Sequence, residues 1–172
     1  MDSHIVLFLK GKIPDYKGRS LAQLRCMAHY RIEEAHDVIQ WMFPTDIKSK
    51  YCKDAPILNQ EDIDTIKSDE KIQENLQMSL QRMIRFYEKD DVWLTKYNHN
   101  FNRITRILRC LWLAGMKHDY VCFQKVLDDI YCDYYDVIGD SIYYWKGAND
   151  LEFLKKMVTF YQKYQKLKSL KL

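Results

Sequence analysis

The chain's 172 residues include 27 lysines and arginines against 24 aspartates and glutamates, a net charge of +3 that excludes a protein held on nucleic acid by bulk charge alone. Only 5 glycines and 3 prolines accompany a hydrophobic fraction of 47%, which argues against a turn-rich β architecture and for one helical domain over 1–172. The apolar run Ile5 to Leu9 is shorter than a signal-peptide core or a membrane span, so a soluble protein is expected.

Residues 1–19 read as an irregular opening segment, because Gly11, Pro14 and Gly18 break any helix and PDYKG carries turn chemistry. Ser20 then caps a long helix. Leu21, Leu24, Ala28, Ile32, Ala35, Ile39 and Met42 recur at three- or four-residue spacing until Pro44. A loop from Thr45 to Asn59 leads to a short helix near Gln60 to Lys67. Ser68, followed by Asp69 and Glu70, starts the next helix, whose face is Ile72, Leu76, Leu80, Met83, Ile84 and Tyr87.

After a polar break at 89–91, Asn100 or Asn102 caps a helix that Gly115 ends. Helices over 118–135 and 137–146 follow, and Asn149 with Glu152 forms a capping box for a basic helix over 150–172. The fold class is all-α, with about six to eight helices.

Several constellations could carry chemistry. His36–Asp37 and His118–Asp119 are the ligand types of helical metal phosphohydrolases, but adjacent helix residues point about 100 degrees apart, so no metal and no cofactor is expected. The cysteines at 26, 52, 110, 122 and 132 contain no Cys-x-x-Cys pair. Free thiols in a reducing, cytoplasmic compartment follow, and with no glycine-rich phosphate loop P-loop hydrolysis is excluded.

Arg103, Arg106 and Arg109 form a ridge beside His99 and Asn100, suited to phosphate or carboxylate and equally to a salt-bridged face. Glu33 or Glu34, His36 and Gln40 fall on one stripe of the expected long helix, beside Trp41. They could satisfy one another when buried or hold a ligand. The terminal lysines, from Lys155 to Lys171, suit helix-dipole and solubility roles.

These blocks resemble the conserved N-terminal domain of the opioid growth factor receptor family, in its stand-alone bacterial type. The FLKGKIPDYKGRSL stretch supplies the family's Pro-Asp-x-x-Gly-Arg element with Pro14, Asp15, Gly18 and Arg19. IEEAHDVIQWMFP resembles the family's Leu-Glu-x-x-His-x-Tyr-Ile-Gln-Trp-Leu-Phe-Pro block, departing from it at Val38 and Met42, and NHNFNRITRIL its His-Asn-x-x-Arg-Ile-Thr-Arg-Ile-Leu block, with Asn102 where leucine is common. DAPIL, MIRFY and Ser141 with Tyr144 and Trp145 complete a resemblance over about 5–150.

The resemblance implies a receptor-like domain; the animal members are described as receptors for a short enkephalin peptide, associated with nuclear membranes. It makes Asp15, Arg19, Glu34, His36, Gln40, Trp41, His99, Asn100, Arg103 and Arg106 candidates for contact with a peptide, protein or small anionic ligand. Three readings stay open: a non-enzymatic binding or regulatory module, an enzyme acting on a phosphorylated small molecule or nucleotide, and an interaction domain using the tyrosine-rich 131–145 surface.

Overall fold

Helix formation begins earlier than the glycines suggest. Ser3 accepts a hydrogen bond from the Val6 amide and caps α1 (His4–Leu9), which buries Ile5, Val6, Phe8 and Leu9. The expected irregular segment is therefore confined to the residues between α1 and Ser20. The computed structural model describes residues 1–49, 52–89, 91–156 and 159; among them are the nine α-helices α1 to α9, a further helical stretch over 151–156 and no strand, with one isolated bridge between Thr45 and Ile57.

The single helix expected from Ser20 to Pro44 is three: α2 (Leu21–Arg25), α3 (His29–Glu34) and α4 (Val38–Met42). Ser20 and Gln23 do form a capping box at its start. The backbone then turns extended at Ala28 (ψ 152°) and at Ala35 (ψ 112°), although no proline or glycine lies between them. Long-range bonds from Arg82 and Arg103 to the freed carbonyls take the place of helix continuation.

Asn59 and Asp62 cap α5 (Gln60–Ser68) reciprocally. Asp69 rather than Ser68 starts α6 (Glu70–Lys89) by accepting from the Ile72 amide, because the Ser68 hydroxyl is turned back onto Asp64 and Thr65 carbonyls. Asn98 accepts the first amide of α7 (Asn100–Leu113), and Gly115, at φ +72°, lets the chain leave it. α8 (Lys117–Ile138) runs past the expected end at 135 with a break in its dihedrals at Tyr134, and α9 (Ser141–Lys146) comes next. Residues 151–156 are helical, with Asp150 rather than Asn149 accepting from the Phe153 amide. The basic helix expected beyond them lies largely outside the described residues.

α7 sits at the centre, with α8 and α9 against one side and α4 against another, while α6 packs on α1, α5 and α8. Edge-to-face rings run through this core from Phe86 to Tyr87 (5.2 Å), Trp93 (5.0 Å), Phe101 (6.2 Å) and Trp145 (6.0 Å). Both buried indoles are satisfied, Trp93 by the Tyr87 carbonyl and Trp145 by the Phe101 carbonyl. No helix among the described residues is long and apolar enough to cross a membrane.

Candidate functional site

Most polar side chains singled out from the sequence lie where short helices end. The last carbonyls of a helix have no partner within it and must find one elsewhere if buried. Here the long helices supply it. From α6, Asn75 donates to the Leu9 carbonyl at the end of α1, Arg82 to the Arg25 carbonyl at the end of α2 and the Met27 carbonyl beyond it, and Gln73 to the Ile66 carbonyl of α5 and the Ala114 carbonyl after α7.

α7 continues the pattern through its arginine ridge. Arg103 donates to the Glu33 carbonyl (3.3 Å), the Ala35 carbonyl (2.8 Å) and Asn100 Oδ1 (3.3 Å), closing α3. One turn on, Arg106 Nε donates to the Phe43 carbonyl (3.0 Å), closing α4. Arg109 grips both oxygens of Asp46 (3.0 and 2.7 Å) and donates to the Asn149 carbonyl (3.0 Å). The three-residue spacing thus serves three successive points of the chain, and Arg103 and Arg109 are each only 5% exposed. Burial lowers the Arg106 pKa to about 10, and its Nη2 is buried with no hydrogen-bond partner among the described residues.

A second polar cluster fixes the PDYKGR loop. Asp15 Oδ1 accepts the Lys17 and Arg19 amides (both 2.9 Å), and Gly18 supplies the left-handed residue at φ +77°. Arg19 then bridges Asp15 and Asp37, with Nη2 2.6 and 2.9 Å from their Oδ2 atoms. Asp37 Oδ2 also takes the Tyr16 hydroxyl (2.7 Å) and Lys17 Nζ (2.7 Å). Burial pushes the Asp37 carboxyl up, but hydrogen bonds from Lys17, Arg19 and Tyr16 outweigh it and hold the pKa at about 2. The Tyr16 ring lies stacked on Trp41 at 5.7 Å, and His4 and Phe8 meet the same indole edge-on. Trp41 Nε1 and Gln40 Oε1 are buried without a hydrogen-bond partner among the described residues.

Glu33, His36, His99 and Asn100 meet where α3 faces the start of α7. Asn100 donates to Glu33 Oε2 (2.8 Å), and the His36 and His99 rings meet edge-on at 5.5 Å. His99 Nε2 lies 3.4 Å from Glu33 Oε1, off hydrogen-bond geometry, so it is buried and unbonded. Burial, then the nearby Arg103, lowers the His99 pKa; Glu33 opposes them, and His36 adds to the lowering. The buried Tyr87 hydroxyl also has no partner among the described residues, and desolvation pushes its pKa up.

The polar stripe expected on one long helix does not form, because the break at Ala35 separates its members: His36 and Glu34 are exposed, Glu33 is half-buried and Gln40 is buried. His36→Ala is expected to shift stability by less than about 0.5 kcal/mol, as for other exposed positions; a larger loss in urea unfolding would show that the His99 contact bears weight. Sequence reasoning missed Arg82 and Asp46, whose partners lie 57 and 63 residues away, and nothing in their local sequence signals those bonds. No cluster of three or more His, Cys, Asp or Glu side chains suited to a metal occurs among the described residues, and all five cysteines are free.

A different kind of surface lies on α8 and α9. Tyr135 (65% exposed) and Tyr143 (60%) project there, with Tyr134 less so. A cleft of about 260 Å³ between the two helices is lined by Gln124, Leu127, Asp128, Ile142, Trp145 and Lys146.

Residues 20–166 match the sequence model of the opioid growth factor receptor (OGFr) conserved region, most of the chain. The chain belongs to the opioid growth factor receptor conserved-region family. No curated protein and no solved structure matches it. The OGFr match takes in the arginine ridge, the Glu33–His99 cluster and the α8–α9 surface, while Asp15 and Arg19 lie just before its start.

Proposed function

We propose that the protein is a non-enzymatic binding module whose polar ridge holds the fold and whose α8–α9 surface receives a peptide or protein. One contrast carries this reading. The groups best suited to chemistry, Arg103 and Arg109 above all, are buried and bonded to the chain's own carbonyls and carboxylates, whereas Tyr135 and Tyr143 stand exposed on the two helices that form a cleft. Membership of a family named for a receptor agrees with binding rather than turnover, and five free thiols suit a reducing cytoplasm.

The test sets binding against catalysis. With phosphate esters and nucleotides as substrates, wild type is expected to show no turnover above the Glu33→Gln/His99→Asn variant. Turnover abolished by that pair would replace this reading with the enzyme. A photo-crosslinking residue at position 143 is expected to trap a protein partner that one at Glu61 on α5 does not. Tyr135→Ala should cut that trapping severalfold while unfolding at the same urea concentration within about 0.5 kcal/mol.

A further inference from the structure

Two of the three arginines on the α7 ridge have a carboxylate beside them. Arg109 holds both oxygens of Asp46, the shorter bond at 2.7 Å, and Arg103 lies 3.7 Å from Glu33 Oε2. Arg106, between them, makes no ion pair among the described residues. Its Nε donates to the Phe43 carbonyl at 3.0 Å. Neither terminal nitrogen bonds anything among the described residues: Nη2 is sealed from solvent, and Nη1 is not.

A guanidinium withdrawn from water without a counterion is costly, and its neighbours do not supply one. The ionisable groups facing it are Cys110, Cys52 and Asp46. Burial pushes the Cys110 thiol up to about 12, so it stays neutral, and Asp46 is taken by Arg109. Arg106 is itself lowered only to about 10 and keeps its charge at neutral pH. Cys52 and Cys110 are both buried. A positive charge is thus set among buried thiols, with two free donors on one edge of a planar fork.

We propose that the Nη1–Nη2 edge of Arg106 binds the carboxylate of a small molecule, between the end of α4 and the loop that carries Cys52. A carboxylate presents two oxygens to those two nitrogens and cancels one charge with one. Phosphate adds a second charge, and no second cation is among the groups facing Arg106 to hold it. An oxygen reaches Nη1 from solvent, and engaging Nη2 as well requires the side chains over it to yield. The Nε bond to Phe43 is untouched, so the same arginine closes α4 and holds the ligand. The site shares no residue with the lining of the α8–α9 cleft and stands or falls without it.

The probe is acetate, with acetamide as its uncharged isostere and inorganic phosphate as the rival anion, at constant ionic strength. In the full chain, isotope-labelled at arginine nitrogen, the Nε–H resonance of Arg106 is assigned by its absence from Arg106→Met. That resonance should shift saturably with acetate, with a dissociation constant of about 1 to 10 mM for so small a ligand, while acetamide leaves it in place. Acetate should raise the urea midpoint of wild type and not that of Arg106→Met. Arg106→Lys keeps the charge without the fork and should bind acetate at least about tenfold more weakly. Arg85→Met, at an exposed arginine of α6, should bind as wild type does.

An Arg106 resonance unmoved by acetate would overturn the proposal, as would equal shifts at every arginine, which mean unspecific ion attraction. Phosphate binding at least about tenfold more tightly than acetate would overturn the carboxylate as the ligand class. Undiminished binding by Arg106→Lys would show that the planar fork plays no part, and the site would fall with it.

Discussion

Asp37→Ala should destabilise the protein by about 2 to 3 kcal/mol at neutral pH, because it removes a buried carboxylate that three cationic or hydroxyl donors share. Arg19 retains Asp15, so the loss is smaller than that of an orphaned buried charge. The pH dependence separates this carboxylate from the others. Its pKa is lowered from 3.8 to about 2 in the folded protein, so its contribution is fully present above 3.8 and is lost as pH falls through 2. The difference corresponds to about 2 kcal/mol, with little discount for solvent since the side chain is 6% exposed.

His99 acts in a higher window by the same logic. Its folded pKa is lowered, so the unfolded chain binds a proton more readily and stability declines as pH drops below the unfolded value of about 6.5. Urea midpoints measured from pH 8 to pH 2 should therefore fall twice. His99→Asn should flatten the upper step and Asp37→Ala should shrink the lower one. An Asp37→Ala chain whose stability parallels wild type between pH 4 and 2 would show that the Arg19 bridge contributes nothing measurable.

The helices from α5 to α8 are legible because each carries an apolar period, and Gly115 marks the end of α7, although the residues that accept their first amides are Asp69 and Asn98 rather than Ser68 and Asn100 or Asn102. The stretch from Leu21 to Met42 is not legible, although its period is just as regular. Its breaks at Ala28 and Ala35 depend on Arg82 and Arg103, which lie far along the chain and bond the freed carbonyls. A periodicity argument sees which residues face the core and is blind to where the backbone finds its hydrogen bonds. The arginine ridge shows the same limit. Its spacing was plain in the sequence, but that it would be covered by the ends of α3 and α4 follows only from the packing of α4 on α7. His36 and Gln40, one turn apart on paper, part company for the same reason.

The largest single effect is expected at Arg103. Its guanidinium closes the end of α3 through two carbonyls and braces Asn100, and Asn100 in turn holds Glu33. Arg103→Met fills much of the same volume yet leaves two part-buried carbonyls without their guanidinium donor and Glu33 with a weaker partner set. The expected cost is about 3 to 5 kcal/mol, which for a chain of this length lowers the melting temperature by about 10 °C. Arg103→Lys should recover little, since one ammonium cannot serve the Glu33 and Ala35 carbonyls and Asn100 from a single planar fork. Arg106→Met is the informative contrast one turn away. It loses one bond to the Phe43 carbonyl but also removes a buried cation whose Nη2 has no partner among the described residues, so the change should cost about 1 kcal/mol or less. Urea unfolding of the three variants measures the order directly: Arg103→Met and Arg103→Lys far below wild type, Arg106→Met close to it. A loss of less than about 0.5 kcal/mol at Arg103→Met would mean that the α3 carbonyls are satisfied without the guanidinium, and the arginine ridge would then be free for a ligand rather than committed to the fold.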